Sequence, residues 1–327
     1  GSQEFIKGQN KYCLWISDRE KDEALKKGEN LISKYKNDIN YQLLGSIYLE
    51  DKQYQKAYNL FDMAYQLTNN SNTLLTITSI QYNNLFDKEN AIKRLENHIQ
   101  MSGYDFNLSI QLLSFYEKLN QKEKLISLLK NMFFYYKNSE NQFLLNKTKI
   151  LFIQYVARDD ISIAIDFLEE NHEEDENLLN LYKISNQPEK AYELLDRLYR
   201  NTNNLDYLAQ QAIFQFEMTN DKESILNDVI AKFEKVLENI SNHVYENYLA
   251  YILIDFDIDV KKGLVLVKKA LEVEPNNIAY IDTLAWGEYK LKNCQEAFKQ
   301  MKKVVDEIGL DDAEIKLHWE KIKECKK

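Results

Sequence analysis

Tyr41-Gln42-Leu43-Leu44-Gly45-Ser46-Ile47-Tyr48, followed by Ala57, Phe61 and Ala64, is the stretch that decides the fold. In a frame starting at Asp38, Tyr41, Leu44, Gly45, Tyr48, Ala57, Phe61 and Ala64 occupy positions 4, 7, 8, 11, 20, 24 and 27. Residues three or four apart share one side of a helix, so these positions mark two amphipathic helices in succession. One step of 34 residues brings back Tyr82 and Ala91, and a second step brings back Tyr116. A fixed period of this length means stacked helix pairs, because no single pair can bury its apolar face alone.

Anchoring each unit on the small residue of its second helix extends the ladder along the chain. Units begin near 5, 38, 72, 106, 145, 172, 206, 244 and 278, and a closing helix begins near 312. The first pair is imperfect, with Trp15 at position 11 and Ala24 at position 20. The unit at 145 starts five residues late and the next is short. Leu113, Phe152 and Leu179 stand where a small residue normally lets two helices approach, so looser packing is expected between about 106 and 205. Pro188 suits the start of a second helix, where its missing N–H costs nothing. The second helix around 222–239 reads about one turn long. Ile315, Leu317, Trp319 and Ile322 provide an apolar stripe for the closing helix, whose other side is Lys and Glu.

The expected fold is therefore all-α. It divides into a tag remnant and tail at 1–4, N-terminal repeats at 5–139, irregular central repeats at 140–205, C-terminal repeats at 206–311 and a capping helix at 312–327.

The whole chain resembles the tetratricopeptide repeat superfamily. That resemblance implies a right-handed superhelical solenoid of about nine helix pairs plus the capping helix. The last third resembles something narrower. Asn247-Tyr248-Leu249-Ala250-Tyr251, Gly263 to Ala270, Glu274-Pro275-Asn276-Asn277 and Tyr280 to Trp286 are similar to the terminal repeats of Gram-negative envelope proteins. Many of those are periplasmic or outer-membrane lipoproteins. The resemblance implies a non-catalytic scaffold for protein–protein interaction in a bacterial envelope assembly, with a lipid anchor on the native N-terminus. The alternative is a cytosolic sensor or regulator that binds a peptide or a disordered segment. Lys, Asn, Ile and Tyr are abundant, which reads as codon drift in an AT-rich genome and suits an ε-proteobacterium of the Campylobacter or Helicobacter kind.

In this family, positions 2, 5, 9, 12 and 13 of the first helix line the concave face. Here they include Gln42, Ser46 and Leu49, then Thr76, Ile80 and Asn83, then Ile110, Ser114 and Glu117. The Lys, Asn and Arg clamp that holds the C-terminal carboxylate of chaperone tails is missing. The expected partner is a protein or peptide of another kind.

Composition limits the other classes. With a net charge of −10, the chain repels phosphate backbones, which disfavours nucleic acid as a partner. No apolar run approaches the length of a membrane span. Gly1-Ser2 reads as a cloning scar, so a trimmed leader ahead of Gln3 stays open. Four histidines in no catalytic spacing, and no glycine-rich phosphate loop, offer no catalytic or cofactor-binding residues.

Two acidic clusters carry metal-capable groups. His172-Glu173-Glu174-Asp175 does not converge on one helical face and reads as an acidic helix N-terminus. Asp255, Asp257 and Asp259 lack the glycine and the closing glutamate of a calcium loop, and read as a solvated turn. No metal is expected. The tyrosines at position 11, Tyr48, Tyr82, Tyr116, Tyr155 and Tyr182, are expected to pack rather than bind.

Two signals bear on compartment. Antiparallel packing of the closing helix predicts that Cys325 comes beside Cys294, where an oxidising compartment would allow a disulfide worth about 3 kcal/mol. Cys13 has no evident mate. Asp105-Phe106-Asn107-Leu108-Ser109 matches the acidic sequon of Campylobacter-type N-glycosylation, with Asn107 as acceptor. Both point to the periplasm.

Overall fold

The computed structural model describes residues 18–325, and all regular structure among them is helical. The start of the unit expected near 5, with Trp15, and Cys13 lie outside the described residues. The chain divides into two units, 1–160 and 161–327.

The first unit opens with α1 (Asp18–Lys34), which holds the place of a second helix. Three antiparallel pairs follow: α2 (Asp38–Glu50) with α3 (Tyr54–Thr68), α4 (Ser71–Asn83) with α5 (Lys88–Ser102), and α6 (Phe106–Lys118) with α7 (Lys122–Asn138). The unit ends on α8 (Gln142–Phe152), prolonged by a π-helical turn, Ile153–Ala157.

The second unit begins with α9 (Ile161–Glu170) and continues with α10 (Glu176–Ile184) against α11 (Pro188–Thr202). Then come α12 (Leu205–Met218) with α13 (Leu226–Asn239), α14 (His243–Asp255) with α15 (Val260–Val273), and α16 (Ile278–Lys290) with α17 (Cys294–Ile308). The last helix, α18 (Ala313–Lys323), closes the unit. A 3-10 turn, Lys222–Ile225, leads into α13, and together they fill the span 222–239.

Each first helix from α2 onward starts on an Asn or Asp whose side-chain oxygen accepts backbone N–H groups of the first turn. Asn37, Asn70, Asp105, Asn141, Asp175, Asn204, Asn242, Asn277 and Asp312 fill that role. Such a cap satisfies donors that the helix cannot, and contributes about 1 kcal/mol. The abundance of Asn is thus put to structural use, which codon drift alone does not explain.

Second helices start differently. In every pair within a unit but α12–α13, the turn between partners holds one residue in the left-handed region: Lys52, Phe86, Asn120, Asn186, Asp257 or Lys292. The N–H of the next residue reaches back into the first helix, as in Gln53 N to the Tyr48 carbonyl at 2.9 Å and Gln121 N to the Tyr116 carbonyl at 2.8 Å. This is the Schellman way of ending a helix, performed mostly without glycine.

Packing follows the small positions. Gly45 and Ala57, Ala250 and Gly263, and Ala285 and Ala297 mark the crossings where α2–α3, α14–α15 and α16–α17 meet most extensively. A Cβ on Gly263 would lie 2.9 Å from the Ala250 carbonyl oxygen, so only glycine permits that approach. Where Leu113 or Leu179 stands at the crossing, both fully enclosed, the pairs α6–α7 and α10–α11 touch over a shorter stretch. Bulk at the crossing holds the helices apart, as expected for that region.

The irregular lengths cluster between 142 and 184, and they include second helix α9, which has only 10 residues. Most first helices contain 13 residues, whereas the helical run 142–157 is longer and α10 has only 9. The caps at Asn141 and Asp175 set these starts, which differ by a few residues from the expected 145 and 172.

The closing helix departs from its expected stripe. Ile315 and Ile322 are buried, but Leu317 is 48% exposed, and His318 takes the inward position at 1% exposure. Trp319 is half-buried and stacks on Phe298, with ring centroids 5.2 Å apart. The stripe therefore follows residues 315, 318 and 322, which is helical i, i+3, i+7 spacing; Leu317 lies off it.

Candidate functional site

In the first unit, the expected groove residues stand on α2, α4 and α6. Gln42, Ser46 and Leu49 are half-buried on α2. Thr76 is half-buried on α4, and Asn83 is exposed at its end. Ile110 and Ser114 are half-buried on α6. Glu117 ends that row and forms an ion pair with Arg158. Ile80 is a correction: at 2% exposure it belongs to the core around Tyr41, Leu44 and Phe61 rather than to an open face. Its position on α4 points between neighbouring helices, where an apolar β-branched side chain gains most by burial. Adjacent first helices are tied by Gln111, whose Nε2 donates to the Leu75 carbonyl at 3.1 Å.

The second unit carries an open cleft of about 420 Å³ lined by residues of α12, α14, α16 and α18, with Ile308 at the end of α17. Phe216, Tyr248 and Tyr251 give it aromatic walls, with Phe216 edge-on to Tyr248 at 6.0 Å. Asn247, Asp282 and Glu314 add polar groups. These residues come together because consecutive first helices present equivalent faces. In sequence, Asn247 to Tyr251 and Tyr280 to Trp286 stand out only through a resemblance; their convergence on one cleft is a property of the fold.

Behind the cleft lies a connected polar group. His318 Nδ1 is 2.8 Å from Asp282 Oδ1, and the imidazole stacks on Trp286 with centroids 4.1 Å apart. Trp286 Nε1 donates to Asp255 Oδ1 at 3.0 Å. Tyr251 donates its hydroxyl to Glu314. Burial, that hydrogen bond and the charges of Asp255, Glu314 and Asp282 hold the Tyr251 phenol far above the usual tyrosine range. The field here is negative.

The remaining sequence candidates take structural places. Asp175 caps α10, and Glu174 pairs with Arg197 at 2.9 Å. Asp259 caps α15, and Asp257 pairs with Lys290 at 3.0 Å. Asn107 is exposed in the first turn of α6, while Ser109 is buried and donates to the Asp105 carbonyl at 2.7 Å. Cys294 and Cys325 are joined by a disulfide, Cα atoms 5.6 Å apart. Of the position-11 tyrosines, Tyr48, Tyr82, Tyr116 and Tyr182 are buried and Tyr155 is half-buried.

No family model matches the chain, and no curated protein matches it. Solved structures that are similar include one of Naa15/Naa10 bound to HypK-THB, at 13% identity and a TM-score of 0.37, covering 91% of this chain. This chain spans only 57% of that one. The TPR domain of P58(IPK) is similar at 11% identity and a TM-score of 0.34, covering 98% of this chain and 97% of that one. YrrB, described as a TPR protein with an unusual peptide-binding site, is similar at 12% identity and a TM-score of 0.37, covering 69% and 97%. Likeness at this level says nothing of what this chain binds. The all-α architecture of stacked helix pairs rests on this chain's own period and small-residue crossings.

Proposed function

We propose that this chain is a non-catalytic scaffold that binds a protein or peptide segment along the shared face of its first helices. The observation that carries this reading is that α12, α14, α16 and α18 all contribute to one cleft. A site strung over successive repeats suits an elongated ligand, and a rigid surface reduces the ordering cost of holding one. The workplace we propose is a bacterial envelope assembly, in the periplasm or at the outer membrane. The resemblance of residues 247–286 to envelope repeats supports it, as does the Cys294–Cys325 disulfide, which an oxidising compartment sustains.

A photo-crosslinking residue placed at Ala279, which is exposed and lines the cleft, tests the binding face in the native host. Val265, exposed on second helix α15, is the control position. The expected result is a discrete adduct from position 279 alone, with a partner that binds the purified chain stoichiometrically. Adducts only from position 265, or no partner that binds in purified form, would sink the reading. Thiol labelling in the same cells tests compartment: a freely labelled Cys294 speaks against the periplasm.

A further inference from the structure

The carboxylates around the second-unit cleft differ from most ion-paired acids of this protein. Glu234 pairs with Lys262 at 2.7 Å, Glu169 with Lys190 at 2.9 Å and Glu174 with Arg197 at 2.9 Å. Three carboxylates line the cleft, Asp282, Asp312 and Glu314, and no Lys, Arg or His lines it with them. Among the described residues, the one cationic candidate in contact is His318, which lies behind Asp282 and approaches Glu314 at 3.8 Å.

Each of these acids is held in place through one oxygen. Asp312 Oδ1 accepts the N–H groups of Glu314 and Ile315 at the start of α18. Glu314 Oε1 accepts the Tyr251 hydroxyl, and Asp282 Oδ1 faces the imidazole. These bonds position Asp312 and Glu314 without using their second oxygens. Beside them, the Asn247 side-chain oxygen is buried with no hydrogen-bond partner, an arrangement that costs free energy until a donor arrives. Tyr248 and Tyr251 complete the lining with aromatic rings, which attract cations through their faces.

We propose that this cleft receives a Lys or Arg side chain from a basic segment of the protein partner. The chemistry is complementary throughout: a donor-only cationic head, two carboxylates with open oxygens, one orphaned amide oxygen and aromatic walls. A bare divalent ion is a poorer match, since no group of three His, Cys, Asp or Glu among the described residues could hold a metal. The inference rests on the scaffold reading and makes it specific to one partner chemistry.

The test uses the full chain and a fluorescein-labelled peptide of Ala and Gly carrying three lysines, with a glutamine-substituted peptide beside it, followed by anisotropy at low and physiological salt. The lysine peptide is expected to bind and the glutamine peptide not to. The double variant Asp312→Asn with Glu314→Gln keeps the helix cap and should weaken binding by about tenfold or more. Glu189→Gln with Glu193→Gln, both exposed on α11, removes the same charge elsewhere and should leave binding unchanged. Circular dichroism checks that both variants stay folded, and Glu314→Gln alone serves if the double variant does not. Equal weakening in the two double variants, binding retained without the cleft acids, or no binding of the lysine peptide to the parent protein would each overturn the proposal. The crosslinked partner from position 279 separates the failures: a partner without a basic segment removes this inference and leaves the scaffold standing.

Discussion

Tyr116 donates its hydroxyl to Glu96 Oε1 at 2.6 Å, joining first helix α6 to the preceding second helix α5. Tyr48 does the same to Glu29, and Tyr182 to Glu169 at 2.6 Å. These tyrosines pack, as their repeat position implied, and their phenols also strut one helix pair against the helix before it. Tyr82 breaks the series: its hydroxyl is buried without a partner. The residues 19 and 20 before it, where the other struts find Glu29 and Glu96, are Met63 and Asp62, and Asp62 is held by Arg94. Tyr116→Phe should therefore lower stability by about 0.5–1.5 kcal/mol, whereas Tyr82→Phe should leave it unchanged or raise it. Urea midpoints of the two variants measure the contrast, and an equal loss in both would refute it.

The second prediction concerns a turn. Phe86 lies between α4 and α5 at a φ of 56° with its ring 79% exposed, so it carries left-handed strain with little packing in return. Phe86→Asn should raise stability by about 0.5–1 kcal/mol, since Asn tolerates that region. The melting temperature is the readout, and a decrease would show that the ring contributes more than its exposure suggests.

Reduction supplies the third. The Cys294–Cys325 bond closes a loop of 31 residues, for which chain entropy gives about 3–4 kcal/mol. Reducing it, or substituting Cys325→Ser, should speed amide exchange in α18 well before α14 or α16. Uniform exchange before and after reduction would mean that packing of Ile315, His318 and Ile322 holds the helix unaided.

Alkali tests the buried phenols. Burial, followed by the hydrogen bond to Glu29 and its charge, pushes Tyr48 up to about 12, and Tyr116, Tyr182 and Tyr245 are raised further for the same kinds of reason. A phenol raised in the fold keeps its proton while the unfolded chain, near pH 10, gives it up. Its contribution is complete below about pH 10 and is lost as pH rises toward the folded values. Stability should fall steeply above about pH 10, with a late, cooperative rise in tyrosinate absorbance that coincides with loss of helix. A gradual tyrosinate signal in a still-helical protein would contradict this.

Much of the architecture was legible because packing repeats. Gly45, Ala57, Ala91 and Ala285 sit at crossings that only small residues allow, and such a constraint writes itself into the sequence at a fixed interval. Expected helix starts at 38, 106 and 278 coincide with observed ones. What was less legible depends on direction rather than spacing. Ile80 and Leu317 each sit in an apolar pattern, yet one turns to the core and the other to solvent. The cleft was hidden for a related reason: Tyr248, Asp282 and Glu314 come from three different helices, and no local pattern announces their meeting. The unpaired acids were visible individually, but which of the 52 Asp and Glu side chains lack a cation is a property of the fold.

The caps of the first helices bear on how this protein ages. Six of the nine are asparagines, the residue most prone to lose its amide spontaneously. Hydrolysis to aspartate leaves the accepting oxygen in place and adds a negative charge that a helix N-terminus favours. Direct deamidation at Asn37, Asn70 or Asn277 would thus spare the helix start, and old molecules should differ from new ones in isoelectric point before they differ in shape.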